Sequence, residues 1–136
     1  MTRIDHIGIV VADIEAAIPH YRKIFGEVHE RREMTEAGIR IATFEAENVT
    51  VELLQHTGGG DGAARELLGI KPGLSHLAAQ VDDVPTAMNE LSAAGFRVRK
   101  GFPRQGLHGP VAFFEEEDEM ACLFEVCEHH QGDQGT

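Results

Sequence analysis

Ile4-Asp5-His6-Ile7-Gly8-Ile9-Val10-Val11-Ala12-Asp13-Ile14 is the stretch on which the fold turns. A second stretch, Leu74-Ser75-His76-Leu77-Ala78-Ala79-Gln80-Val81-Asp82-Asp83-Val84, repeats its pattern at a constant offset of 70 residues. Each sets a histidine early in an apolar, strand-like run and ends on an aspartate. About fifty residues after each histidine comes a glutamate in another strand-like run, Val51-Glu52-Leu53 and then Phe124-Glu125-Val126. Two histidines and two glutamates at matched places describe one module used twice.

The segments between them fill out the module. Asp13 suits an N-cap, and Ala16, Ala17, Tyr21, Ile24 and Phe25 recur at helical spacing until Gly26 ends the pattern. Pro19 interrupts that helix at a cost of up to about 3 kcal/mol, which predicts a bend or a late start. In the second half Asp83 caps and Pro85 falls in the tolerant first turn. Ala87, Met88, Leu91 and Ala94 then form the buried stripe before Gly95. Extended segments are expected over 38–45 and 48–55 in the first half, and over 96–100, 110–114 and 121–127 in the second. Each half therefore reads strand, helix, then two or three strands. The expected organisation is a single domain: module one about 3–56, a linker 57–72, module two about 73–128, and a polar tail 129–136. The linker holds a glycine-rich loop, Gly58-Gly59-Gly60-Asp61-Gly62, and a short helix over 63–68. The glycines lack phosphate-loop spacing and no Gly-Lys-Ser/Thr follows, so no nucleotide cradle is expected. From Glu128 the chain turns polar and disorder is expected, with His129-His130 carrying no function.

Composition narrows the partners. The sequence has 136 residues, with 12 basic against 23 acidic side chains and a net charge of −11. That excludes nucleic acid and anionic membranes as general partners, since both demand a cationic face, and leaves a small molecule. No apolar run approaches the roughly 20 residues of a membrane span, and no basic-then-apolar leader precedes the first strand. Cys122 and Cys127 stand at odd spacing in one extended segment, on opposite faces and too close in sequence to bridge. Free thiols predict a reducing, cytoplasmic setting. Exposed edges between duplicated modules make a homodimer the expected assembly.

Alternation along a strand puts His6 on one face with Ile4, Gly8 and Val10, and His76 with Leu74, Ala78 and Gln80. The small residues two places beyond each histidine leave room. Glu52 shares its face with Thr50 and Leu54, while Val51 and Leu53 point into the helix-packed core. A glutamate in such a strand is costly unless paired or coordinated. Any one of these residues could be an ordinary hydrogen-bonded side chain. Their recurrence makes His6, Glu52, His76 and Glu125 a candidate divalent-metal set, and imidazole with carboxylate but no thiolate suits Co, Ni, Mn, Zn or Fe(II). The remaining histidines, His20, His29 and His56, have no partner pattern.

These residues carry a resemblance. The chain resembles the vicinal oxygen chelate superfamily, and within it the methylmalonyl-CoA epimerase branch. The matching motifs include Asp5-His6-Ile7-Gly8-Ile9, Tyr21-Arg22-Lys23-Ile24-Phe25-Gly26, Val51-Glu52-Leu53-Leu54, Gly73-Leu74-Ser75-His76-Leu77, Pro103-Arg104-Gln105-Gly106-Leu107-His108-Gly109 and Leu123-Phe124-Glu125. The resemblance implies an α+β fold of two tandem βαβββ modules forming a curled mixed sheet around a metal site. It implies that His6, Glu52, His76 and Glu125 hold a divalent ion (Co, Ni, Mn or Zn). The implied reaction interconverts the 2-epimers of methylmalonyl-CoA or a related acyl-CoA through an enolate. Glu125 and Glu52 are then the acid and base on opposite faces, with Arg104 and His108 at the substrate.

Two departures stand out. Ile41 occupies the place where some epimerases of the branch carry a glutamate considered a base. Glu115-Glu116-Glu117 replaces the family's His-Pro-Lys, and Asp118 and Glu119 extend the acidic run, which reads as a solvated turn. The alternatives are a glyoxalase-type lyase with the same ligand types, or a non-catalytic protein of the superfamily that binds a small molecule. A ring-cleaving dioxygenase is disfavoured, because Glu52 as a fourth protein ligand would fill a position that oxygen needs.

Overall fold

The computed structural model describes residues 2–129. Its first module runs β1 (Arg3–Val10), α1 (Ile14–Phe25), β2 (Glu30–Met34), β3 (Ile39–Glu45) and β4 (Thr50–His56). A short helix α2 (Ala63–Leu68) follows, and the second module repeats the order as β5 (Gly73–Gln80), α3 (Val84–Ala93), β6 (Arg104–Gln105), β7 (Pro110–Phe113) and β8 (Leu123–Cys127). The expected α+β architecture of two βαβββ modules is what the chain forms. It makes two compact units: one spans His6–His76, the other joins the residues up to Asp5 with those from Leu77 onward. Among the described residues, no helix is long and apolar enough to cross a membrane.

In the first unit the hydrogen-bonded strand order is β2-β3-β4-β1. β1 runs parallel to β4, with Gly8 opposite Glu52, and β3 runs antiparallel to both β2 and β4, with Thr43 opposite Glu52. One face of this sheet packs on α1: Ile14 and Ile18 of the helix meet Ala42, Phe44, Val51 and Leu53, with Tyr21 and Phe25 stacked toward Phe44. Burying each of these larger side chains stabilises the unit by about 1.5–3 kcal/mol, so this face holds the sheet flat against the helix. Alternation then assigns His6, Gly8, Thr43 and Glu52 to the other face. In the second unit the order is β5-β8-β7-β6, and α3 packs through Val84 on Ala112, Phe114 and Val126. By the same alternation Glu125 turns away from that core.

Both helices start where the aspartates predict. The Asp13 carboxylate accepts from the Glu15 N–H, and Asp83 accepts from the N–H and hydroxyl of Thr86. Those two bonds, the hydroxyl first, hold the Asp83 carboxyl below its ordinary pKa. A second acceptor tops each helix: Gln55 Oε1 takes the Ile14 N–H at 2.8 Å, and Glu128 Oε2 takes the Val84 N–H at 2.7 Å.

Several sequence expectations need correction. α1 begins at Ile14 and runs through Pro19 to Phe25, so of the bend or late start that the proline predicted the late start does not occur. Pro19 is exposed, and the apolar stripe of the helix overrides the local penalty. β2 was not among the extended segments read from the residues, because Glu30-Arg31-Arg32-Glu33-Met34 has no apolar alternation; it is the third strand that the βαβββ resemblance implied, an edge strand held by pairing with β3. The strand expected over 96–100 is reduced to a single bridge from Val98 to Phe114, and the strand between α3 and β7 is instead the two-residue β6 at Arg104–Gln105. Glu128 and His129 are tied down rather than disordered, Glu128 by its helix cap and His129 by Asp5; the rest of the polar tail lies outside the described residues.

Candidate functional site

β1 and the start of β5 bring His6 and His76 together. Both rings are buried, and their Nε2 atoms stand 3.2 Å apart with the ring planes nearly perpendicular at 88°. Two nitrogens can share one proton at that distance, or both can turn lone pairs on one cation. Ligand atoms about 2.1 Å from a common ion, at tetrahedral or octahedral angles, are about 3.0–3.4 Å from each other, so the observed separation fits a pair of metal ligands. Ser75 Oγ lies 3.0 Å from His76 Nδ1. When Nδ1 carries the proton and donates it to Ser75, Nε2 is left bare as a ligand, the outer support that metal-binding imidazoles ordinarily have.

Gly8 completes this cradle. The His76 ring occupies the space a Cβ at position 8 would take, with ring atoms inside any permissible contact. The sequence pattern assigned the small residue to making room beside His6. The structure shows that the room is filled by the histidine of the other repeat.

Glu52 is buried on β4, with its Oε2 3.6 Å from His6 Nδ1. It therefore approaches the edge of the ring away from the nitrogen that meets His76. Thr43 lies opposite it on β3, and Ile41 is buried two residues earlier in the same strand. Glu125 stands on β8 opposite Phe113 and is only 4% exposed, a burial that a carboxylate tolerates when it is compensated.

The two residues assigned to substrate are in the second unit. Arg104 is exposed on β6, its guanidinium 5.8 Å from the Phe102 ring centroid. His108 follows in the loop before β7, half-buried and stacked on His129 at 4.5 Å between ring centroids. Asp5, His129 and Ser75 are the polar neighbours that the sequence did not single out. Ser75 is invisible to alternation, since an adjacent residue on a strand belongs to the opposite face from His76.

The acidic run is a solvated turn, as expected. Residues 116–119 are exposed, Asp118–Met120 forms a single 3-10 turn, and Glu115 pairs with Arg99 at 3.9 Å. Arg99 is thereby partly engaged by the acidic segment. Cys122 and Cys127 are both unbridged, but β8 begins at Leu123, so Cys122 precedes the strand rather than facing away within it.

Comparison with known proteins agrees with this fold. Residues 5–113 match the glyoxalase/bleomycin resistance protein/dioxygenase superfamily. The ethylmalonyl-CoA/methylmalonyl-CoA epimerase of Cereibacter sphaeroides is 35% identical over 129 residues, covering 91% of this chain and 96% of that protein. The crystal structure of methylmalonyl-CoA epimerase from Mycobacterium tuberculosis superimposes with a TM-score of 0.80 at 25% identity, covering 98% of this chain and 92% of that one. A methylmalonyl-CoA epimerase in complex with methylmalonyl-CoA and NH4+ gives a TM-score of 0.79 at 28% identity, covering 96% of each chain. The structural likeness spans both βαβββ modules, and the chain belongs to the glyoxalase/bleomycin resistance protein/dioxygenase superfamily.

Proposed function

We propose that this protein is a metal-dependent epimerase that interconverts the 2-epimers of methylmalonyl-CoA or a closely related acyl-CoA. The observation that carries the reading is the converging His6–His76 pair, seated against Gly8 in a chain 35% identical to an ethylmalonyl-CoA/methylmalonyl-CoA epimerase. In this reading His6, His76, Glu52 and Glu125 hold one divalent ion of the Co, Ni, Mn or Zn type. When bound, the ion supplies positive charge where negative charge develops as the α-proton leaves.

The chain's own residues do the rest. Ser75 orients His76, and Glu52 flanks His6. Glu125 takes the α-proton from one face of the substrate and the protonated Glu52 delivers a proton to the other, the two exchanging roles for the opposite epimer, because the buried Ile41 has no basic atom to offer. Arg104 and His108 receive the anionic and polar parts of the acyl-CoA. The unbridged thiols fit a cytoplasmic enzyme, and the exposed Ile4 and Leu74 fit burial in a homodimer.

Side-by-side assays test the reading. Purified protein supplied with Co or Ni should racemise methylmalonyl-CoA and leave the methylglyoxal–glutathione adduct unconverted. The reverse pattern would make it a glyoxalase-type lyase. Activity on neither, together with a thermal shift on adding a CoA ester, would make it a binding protein.

A further inference from the structure

We infer that Ile41, with Leu54 and Val10, seats the 2-alkyl branch of the substrate, so that this chain takes malonyl thioesters carrying a short unbranched alkyl group. The inference rests on the proposed epimerase reading, with Glu52 facing the α-carbon. Strand register in the first unit carries it. Residues paired across neighbouring strands share a face, and on the face of His6 they form successive rows. One row is Thr43, Glu52 and Gly8, with the His76 ring in the space over Gly8. The next, two residues along each strand and about 6.6 Å away, is Ile41, Leu54 and Val10.

That second row is aliphatic throughout and buried. Ile41 and Glu52 are each 8% exposed, so the row is no more closed off than the carboxylate beside it. The α-carbon of a 2-alkylmalonyl thioester carries a hydrogen, a carboxylate, a thioester carbonyl and the branch. Either carbonyl group set against aliphatic side chains would give up hydrogen bonds with nothing in return. The branch alone gains there, and the gain grows with each methylene until the row has no more room. A proton exchanged with Glu52 holds the α-carbon about 3–3.5 Å from that carboxylate, which leaves the branch within reach of the adjacent row. Once the proton has left, the α-carbon is planar and the branch lies between the two acid–base faces, so one seat serves both epimers.

The alternative is that the row is ordinary core, in which case substitutions there cost stability and leave substrate preference alone. Rates on methyl-, ethyl- and butylmalonyl-CoA separate the two. Wild type should accept ethyl within about tenfold of methyl and lose at least about tenfold more on butyl, since a methylene in an apolar pocket is worth about tenfold or more. Ile41→Ala should raise the butyl-to-methyl ratio of kcat/KM by at least about tenfold, Ile41→Val should raise it less, and Ile41→Phe should lower the ethyl-to-methyl ratio. Exchange of the α-hydrogens of unbranched malonyl-CoA in heavy water should stay within about twofold of wild type in all three, because that substrate has nothing to seat. Ile18→Ala, which thins the core under α1 on the opposite face, should lower Tm and leave every ratio unmoved. Unmoved ratios in the Ile41 variants, or the same shifts in Ile18→Ala, would overturn the inference while leaving the epimerase reading in place. A wild-type protein inactive on every ester would overturn both.

Discussion

At position 8 the missing side chain is what the site uses. A methyl group there would collide with the His76 ring, and a packed β-strand gives the ring nowhere to go without losing its approach to His6. Gly8→Ala should destabilise the protein by about 1–3 kcal/mol, as overpacking does. It should also reduce bound metal well below the wild-type content, as measured on the same preparation by elemental analysis. Full metal content with unchanged melting would place His76 elsewhere. Glu125→Gln asks a different question, since it keeps the shape and one oxygen ligand while removing the base. With metal occupancy checked, it should slow exchange of the substrate's α-proton by at least about 100-fold, or about 2.7 kcal/mol of barrier. Exchange at the wild-type rate would leave Glu125 at most a ligand. The two histidines and two glutamates were legible from recurrence alone. Ser75 and His129 were not, because adjacency along a strand and a ring stack between a loop and a chain end leave no periodic trace in a sequence.

The two long helices show duplication at the level of the cap. Gln55 lies three residues after Glu52 and Glu128 three after Glu125, and each delivers an oxygen to the first residue of its module's helix, Ile14 or Val84. The strand that carries the candidate glutamate is thereby fastened to the helix behind it. Gln55→Ala should cost about 1 kcal/mol, seen as a fall of about 4 °C in Tm, without removing the metal. Asp83 adds a pH dependence to the second helix. Its folded-state pKa is depressed by Thr86, so its contribution is present above the unfolded pKa and is lost as pH falls through the folded one. Asp83→Asn, which still accepts a hydrogen bond but does not titrate, should lose less stability than wild type as the pH falls below about 4. Melting curves across that range would check it; parallel slopes would contradict the assignment. Helix limits were readable because capping chemistry is local. β2 and β6 were not, because their pairing depends on a partner strand rather than on their own composition.

At the scale of the molecule, two βαβββ modules each supply one histidine and one glutamate, so the chain as a whole carries one candidate set. About one divalent ion per chain is therefore expected, with His76→Ala losing it and equal metal in wild type and both His→Ala variants contradicting the set. Architecture and candidate set were legible together because they share one cause: the repeat that builds the strands also repeats the histidine and the glutamate. The substrate end was less legible, since Arg104 and His108 sit in a segment where the modules differ, and the acidic turn that departs from the family pattern is exposed. The most direct test uses a single epimer of methylmalonyl-CoA in heavy water with metal-loaded protein, following the α-position by NMR. The account predicts that deuterium enters as the other epimer appears, and that both events are lost in His76→Ala. A wild-type protein carrying its ion, yet giving neither exchange nor inversion, would contradict it.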